Sequence, residues 1–144
     1  MIIRNQQFEA FEREATRSFI RDIARVIQEN DADEWVFLPN GEDWTPVKDL
    51  PFETLVQLVE GGIERATGYG LEDEGDLIAF VSFMFSFAPN FDSHPVIQDV
   101  LTDEDLSDDE RMDQVVEVAT DQDWAEVEDE YDESAWTYSA LAHA

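Results

Sequence analysis

Between Leu77 and Ala88 only Ser82 and Ser86 are polar, and this apolar run is framed by Glu72, Asp73, Glu74 and Asp76 on one side and Pro89 on the other. A strand usually ends after about 4 to 8 residues, so the run predicts a buried helix around which the chain must fold. It is too short to cross a bilayer, which takes about 20 apolar residues. The acids before it favour a helix start, because they face the positive end of the helix dipole. Leu77, Phe80, Phe83, Met84 and Phe87 are the expected buried residues. Gly75, Ala79, Ser82 and Ser86 recur at helical spacing and leave a small side for another helix.

Amphipathic segments flank this run. From Asn5 to Glu29, the residues Phe8, Phe11, Ala15, Phe19, Ile23 and Ile27 form a stripe of helical period. Arg13, Arg17, Arg21 and Arg25 recur every four residues on nearly the opposite face; the row either anchors an acidic partner or, as the favoured reading has it, is neutralised by Glu9, Glu14, Asp22 and the acidic C-terminal half. Pro51 suits the first turn of a second helix, with Phe52, Leu55, Val56, Val59, Ile63 and Ala66 inward and Gly68 and Gly70 at its end. Gly61-Gly62 inside that helix signals close packing or a kink. Pro95 opens a short helix carrying Val96, Ile97, Val100 and Leu101. Ser107-Asp-Asp-Glu110 has the capping-box pattern and should start a helix with Met112, Val115, Val116 and Ala119 inward. Trp124, Val127 and Tyr131 mark the apolar side of a last, acidic helix. The expectation is an all-α antiparallel helical bundle: a single helical domain over residues 1–132, an aromatic insert over 31–50, and a tail over 133–144 that docks or frays.

The insert breaks the helical period. Trp35-Val-Phe37-Leu-Pro-Asn-Gly-Glu-Asp-Trp44 places a Pro-Asn-Gly turn signal between short apolar pieces, as in a hairpin or structured loop. Trp35, Phe37 and Trp44 either fold back over the core or form a binding surface, since such residues are enriched at hot spots.

Charge narrows the partners. The chain holds 36 acids against 8 bases, a formal charge of −28. Residues 1–68 carry 14 acids and 7 bases, whereas 69–144 carry 22 acids and Arg111 alone. Such a field repels nucleic acid, anionic membranes and phosphorylated substrates and speeds encounter with a basic partner. It also keeps a protein soluble, and near-absence of lysine suits adaptation to high salt. With no cysteine, neither disulfides nor thiolate metal sites can form, and a cytoplasmic location is expected. Met1-Ile-Ile-Arg leads straight into polar residues, so no signal-peptide core is evident.

Sites for chemistry are sparse. From Asp103 the acids fit the first positions of a calcium loop, but Asp108 stands where glycine is needed and Gln114 where a bidentate glutamate is needed. His94, between Ser93 and Pro95, and His143 are the histidines, and capping or exposure explains them better than acid–base catalysis. No nucleophile-elbow serine occurs. Neither an enzyme nor a resident cofactor or metal is expected. The candidate binding residues are the aromatics Trp35, Phe37 and Trp44 and the acids Asp121, Asp123, Glu126, Glu128 and Glu130.

Three pieces together carry a likeness: the opening Met1-Ile-Ile-Arg-Asn-Gln-Gln-Phe-Glu-Ala-Phe11, the block Gly62-Ile-Glu-Arg-Ala-Thr-Gly-Tyr-Gly-Leu71, and Phe83-Met-Phe-Ser-Phe-Ala-Pro-Asn-Phe-Asp-Ser-His-Pro95. In these the chain resembles a family of small bacterial proteins encoded beside type VI secretion spike, PAAR and toxic-effector genes. The resemblance implies an adaptor, chaperone or immunity role. The aromatic insert and the extreme acidity depart from the family's usual pattern.

The leading expectation is a non-enzymatic acidic module that binds a basic protein, such as a toxin or effector, with no direct contact to nucleic acid or membrane. An acidic DNA mimic that occupies a nucleic-acid-binding enzyme, or an ordinary helical domain of a halophile, are the alternatives.

Overall fold

A computed structural model describes residues 2–136, with side chains from Thr16 onward. The expected inward residues Phe8, Phe11 and Ala15, the base Arg13, and His143 with the rest of the tail beyond residue 136 therefore lie outside the described side chains. The elements are α1 (Ile2–Asn30), β1 (Trp35–Val36), β2 (Thr45–Pro46), α2 (Phe52–Gly68), α3 (Glu74–Ser86), α4 (Pro95–Leu101), α5 (Arg111–Val118) and α6 (Asp121–Asp129). Three 3₁₀ turns, Val47–Asp49, Phe91–Ser93 and Glu133–Ala135, complete the path. The fold is all-α, with the two strands as a small hairpin insert.

Helix α3 is the apolar run, and its start follows from the acids before it. The Asp73 carboxylate accepts from the Gly75 and Asp76 N–H groups, at 3.0 and 3.3 Å, which satisfies two of the donors a helix leaves open. Leu77, Phe80, Val81, Met84 and Phe85 are buried. Phe83 and Phe87 are half-buried rather than enclosed, because α6 covers that side with Trp124. The indole stacks on Phe87 at 4.3 Å and touches Phe83 at 5.3 Å.

Helix α2 packs between α1 and α3. The close approach comes from Gly62, where a Cβ would lie 2.8 Å from Met84 Sδ and 3.1 Å from Val81 Cγ2. That is the packing reading of the double glycine, whereas the small side proposed for α3 serves other ends. Gly75 is exposed, and Ser82 donates to the Asp31 carboxylate at 3.2 Å, tying α3 to the end of α1. At its C-terminus α2 closes with a Schellman arrangement: the Gly70 N–H donates to the Thr67 carbonyl and the Leu71 N–H to the Ala66 carbonyl. Gly70 has φ +90°, a left-handed conformation that favours glycine.

The expected arginine row is partly absorbed within the molecule. Arg21 pairs with Glu53 at 3.0 Å and Arg25 with Asp22 at 3.1 Å, and both guanidinium groups lie over the Phe52 ring. Arg111, the base of the acidic half, donates to the Tyr69 and Asp103 carbonyls and to the Asp108 carboxylate. It fastens the start of α5 to the end of α2.

Two expectations about the acidic half are corrected. Ser107–Glu110 forms a turn, with the Ser107 hydroxyl turned to the Asp109 and Glu110 carboxylates, so α5 begins only at Arg111. The N-cap of α5 is Glu110, whose side chain makes no capping hydrogen bond. The capping box instead opens α6, where Thr120 and Asp123 exchange bonds of 3.2 and 2.9 Å. Val116, expected inward, is 60% exposed because the short α5 buries only Met112 and Val115. Beyond α6 the chain docks: Trp136 is buried against Phe85 at 4.8 Å.

Candidate functional site

The insert closes as a hairpin. Trp35 pairs with Pro46 and Val36 with Thr45, and continuing that register sets Phe37 beside Trp44, their rings 5.6 Å apart edge to face. A turn at Leu38–Gly41, with the Gly41 N–H donating to the Leu38 carbonyl, is where the Pro-Asn-Gly signal placed it. Val36 points into the core and is fully buried. By strand alternation the aromatic residues fall on the other face, with Trp35 56% and Trp44 49% exposed.

Tyr131, just past α6, joins this face to the acidic helix. Its hydroxyl accepts from the Phe37 N–H and from Trp136 Nε1, both at 2.9 Å, and its ring meets Trp44 at 4.8 Å. Burial pushes the phenol pKa up, which keeps the hydroxyl protonated and the contact intact. Trp44 is thus held on two sides while one part of the indole remains open to solvent. The negative charge is continuous across the same junction. Glu34, next to Trp35, has its carboxyl pushed up by burial and then by the charges of Asp31, Glu128 and Asp33, which places the hairpin's acid within electrostatic reach of α6.

The acids expected to form one binding row on α6 divide into two groups. Asp121, Glu128 and Glu130 are exposed. Asp123 and Glu126 also make contacts within the molecule, although Glu126 is itself exposed: Asp123 accepts from the Thr120 N–H, which holds its pKa below the usual carboxylate value, and Glu126 lies 3.0 Å from His94 Nε2. Sequence spacing puts all five on one helix but does not reveal that His94 comes up beneath two of them. Neither Tyr131 nor Glu34 is among the binding residues the sequence suggests; the spacing of Trp124, Val127 and Tyr131 marks Tyr131 only as part of the apolar side of the last helix.

His94, Asp123 and Glu126 also have the residue types of a metal site, with one possible ligand atom from each lying within 4.8 Å of the others. They edge a solvent-open hollow of about 340 Å³ together with Pro95, Val96 and Glu130. The histidine is set up for another task. Its Nδ1 accepts from the Val96 N–H at 3.3 Å, capping α4, so in the neutral ring the proton sits on Nε2 and faces Glu126. A metal-bound histidine normally donates its second ring N–H to an acceptor; here that second nitrogen faces a donor. The trio therefore works as a cap and clamp between α4 and α6, as the capping reading of His94 anticipated, although the ring is only 8% exposed.

The shifted carboxyls predict a pH profile. Asp31, Glu34 and Asp76 are raised, in each case first by burial, so the unfolded chain holds these protons less tightly than the folded one. Their contribution to stability is full below the unfolded values of 3.8 and 4.5 and is lost as pH rises through the folded values. Asp123 and Asp132 are lowered and act oppositely, losing their contribution as pH falls below 3.8. The melting temperature should rise as pH falls toward the unfolded values of 4.5 and 3.8 and fall again below 3.8. A steady decline from neutral pH downward would show that these groups do not govern stability.

Comparison with protein-family models, curated proteins and solved structures finds no match to this chain. Among the described residues, no helix is long and apolar enough to cross a membrane.

Proposed function

We propose that this protein is a non-enzymatic binding module for a basic protein, with the aromatic hairpin and the exposed acids of α6 as one recognition surface. The observation that carries this reading is Tyr131, whose ring meets Trp44 and whose hydroxyl accepts from the Phe37 N–H, joining the partly exposed aromatic hairpin to the chain just past the acidic helix α6. Charge gives such a surface a fast encounter, and pre-positioned aromatic anchors give it a slow release. The resemblance in the three sequence blocks supports a bacterial toxin or type VI secretion effector as the partner. The role would then be immunity or adaptor and chaperone, in the cytoplasm. A DNA mimic would need the charge but not the exposed tryptophans, so the aromatic half of the surface favours the protein-specific reading.

The test is capture of basic proteins from host extract by the wild type, Trp44→Ala, Glu128→Lys/Glu130→Lys, and the α5 control Val116→Ser. A basic protein kept by the wild type and control but lost from both other variants is expected. With that protein purified, the charge reversals should slow association, and Trp44→Ala should speed dissociation by the equivalent of about 2 kcal/mol or more. Capture that is indifferent to both surface variants would refute the proposal.

A further inference from the structure

We propose that Asn40 is a self-modification site, where the Gly41 backbone nitrogen displaces the side-chain amide, and that the isoaspartyl linkage so formed is an age-dependent switch in the aromatic hairpin. Asparagine is a labile side chain, and it reacts with the next peptide nitrogen most readily when glycine follows, because no Cβ screens that nitrogen. Of the asparagines, Asn40 alone precedes glycine. The structure singles out the same residue. Asn40 and Gly41 are exposed, whereas the Asn90 amide is held at both ends, donating to the Glu130 carbonyl and accepting from the Asp132 N–H, each at 3.0 Å. Asn30 ends α1, and the nitrogen that would attack it, on Asp31, is tied to the Ile27 carbonyl at 2.8 Å. In the hairpin, Pro39 and Asn40 are the central residues of a turn closed by the Gly41 N–H to Leu38 carbonyl bond of 2.9 Å. Cyclisation needs a rotation about the Asn40 Cα–C bond that breaks this bond. The gate is a weak one, since the flanking strands are two residues each and such sparse, exposed bonding opens at little cost.

The Gly41 nitrogen gives its proton to solvent hydroxide and attacks Asn40 Cγ. The Cγ–Nδ2 bond breaks, and ammonia leaves with a proton taken from water. A second water then opens the five-membered ring at one of its two carbonyls. Opening at Cγ gives aspartate; opening at the backbone carbonyl gives isoaspartate, in which the main chain runs through the side chain and is one atom longer. Either way ammonia is exchanged for water without oxidation, and a carboxylate is added beside Glu42 and Asp43. The extra backbone atom falls between Phe37 and Trp44, whose 5.6 Å ring contact depends on the length of the turn. The lengthened turn frees Trp44 from Phe37 and from Tyr131, which it meets at 4.8 Å. This chemistry is independent of whether the hairpin binds a partner.

The experiment ages the full folded chain in warm, mildly alkaline buffer beside the same chain in urea, and follows both by mass spectrometry. The folded chain should gain the mass difference between water and ammonia, and peptide fragmentation should place the change on Asn40 and not on Asn30 or Asn90. The new group should accept methyl from an isoaspartyl methyltransferase. Anion exchange then separates the modified form by its added charge, and its tryptophan emission should be more readily quenched by acrylamide than that of the fresh protein. That increase should be absent from unaged Asn40→Asp, which carries the charge on a chain of normal length, and from aged Trp44→Phe. Failure of the folded chain to convert at Asn40, while the chain in urea does, overturns the site. Aspartate as the sole product overturns the change in the backbone. Quenching that is unchanged by ageing, or raised equally in Asn40→Asp, overturns the switch.

Discussion

Phe80→Ala should lower the free energy of unfolding by about 3 to 5 kcal/mol. The ring is fully buried at the middle of α3, edge to face on Phe91 at 4.8 Å, tilted against Tyr69 at 6.0 Å, and covered by the Arg65 guanidinium at 5.8 Å. Truncation opens a cavity between elements fixed by other bonds, so the gap cannot collapse cheaply. Against a typical total of about 5 to 15 kcal/mol, that loss threatens the fold. Phe83→Ala should cost less, since Phe83 is half-buried under Trp124, whose large ring can settle into the gap. Urea unfolding gives both values as midpoint shifts at constant slope. A loss below about 1 kcal/mol for Phe80→Ala would mean that α3 is not the centre of the core.

Asp92→Ala should be nearly as damaging, at about 3 kcal/mol or more. Asp92 is 5% exposed; its carboxylate accepts from the Tyr69 hydroxyl at 2.8 Å and lies 3.1 Å from Arg65 Nε. Arg65 in turn donates to the Pro89 and Ala135 carbonyls, so one guanidinium joins α2, the turn after α3 and the docked end of the chain. Removing Asp92 leaves Arg65 Nε, which has no hydrogen-bond acceptor even in the intact protein, without its counter-charge. The alkaline limb gives a second readout. Burial, then the Asp92 charge, pushes the Tyr69 hydroxyl from 10.0 up to about 12, so its contribution to stability is full below 10 and is lost as pH rises toward the folded value. In Asp92→Ala this alkaline loss should shrink, because one cause of the shift is gone. A variant as stable as the wild type, with the same alkaline limb, would show that the pair is decorative.

Much of the fold was legible in the residues. The Leu77–Ala88 run, the acids ahead of it, Pro51, Gly68 and Gly70 act through hydropathy, helix capping and backbone freedom, which neighbours along the chain settle among themselves. The hairpin turn at Leu38–Gly41 was legible for the same reason. The failures have a common cause. Ser107–Glu110 matches a capping box, but Arg111 is drawn to Tyr69, 42 positions away, as well as to Asp103 and Asp108, and the segment stays a turn where the local pattern favoured a helix start. Val116 obeys the helical period yet faces outward, because period identifies a face and not what covers it.

The sequence by itself determined an all-α chain built on one apolar helix, its strongly acidic charge, and the positions of the aromatic insert and the last acidic helix. Tertiary structure alone decided how these meet. Residues 37 and 131 are 94 positions apart, and no periodicity links them, yet the Phe37 N–H and the Tyr131 hydroxyl form a 2.9 Å bond that merges insert and helix into one surface. It likewise brought His94 beside Glu126, 32 positions away in the chain. Local patterns report what a residue tolerates from its chain neighbours, whereas hydrogen bonds and ring contacts across the core depend on distances that only the packed chain sets.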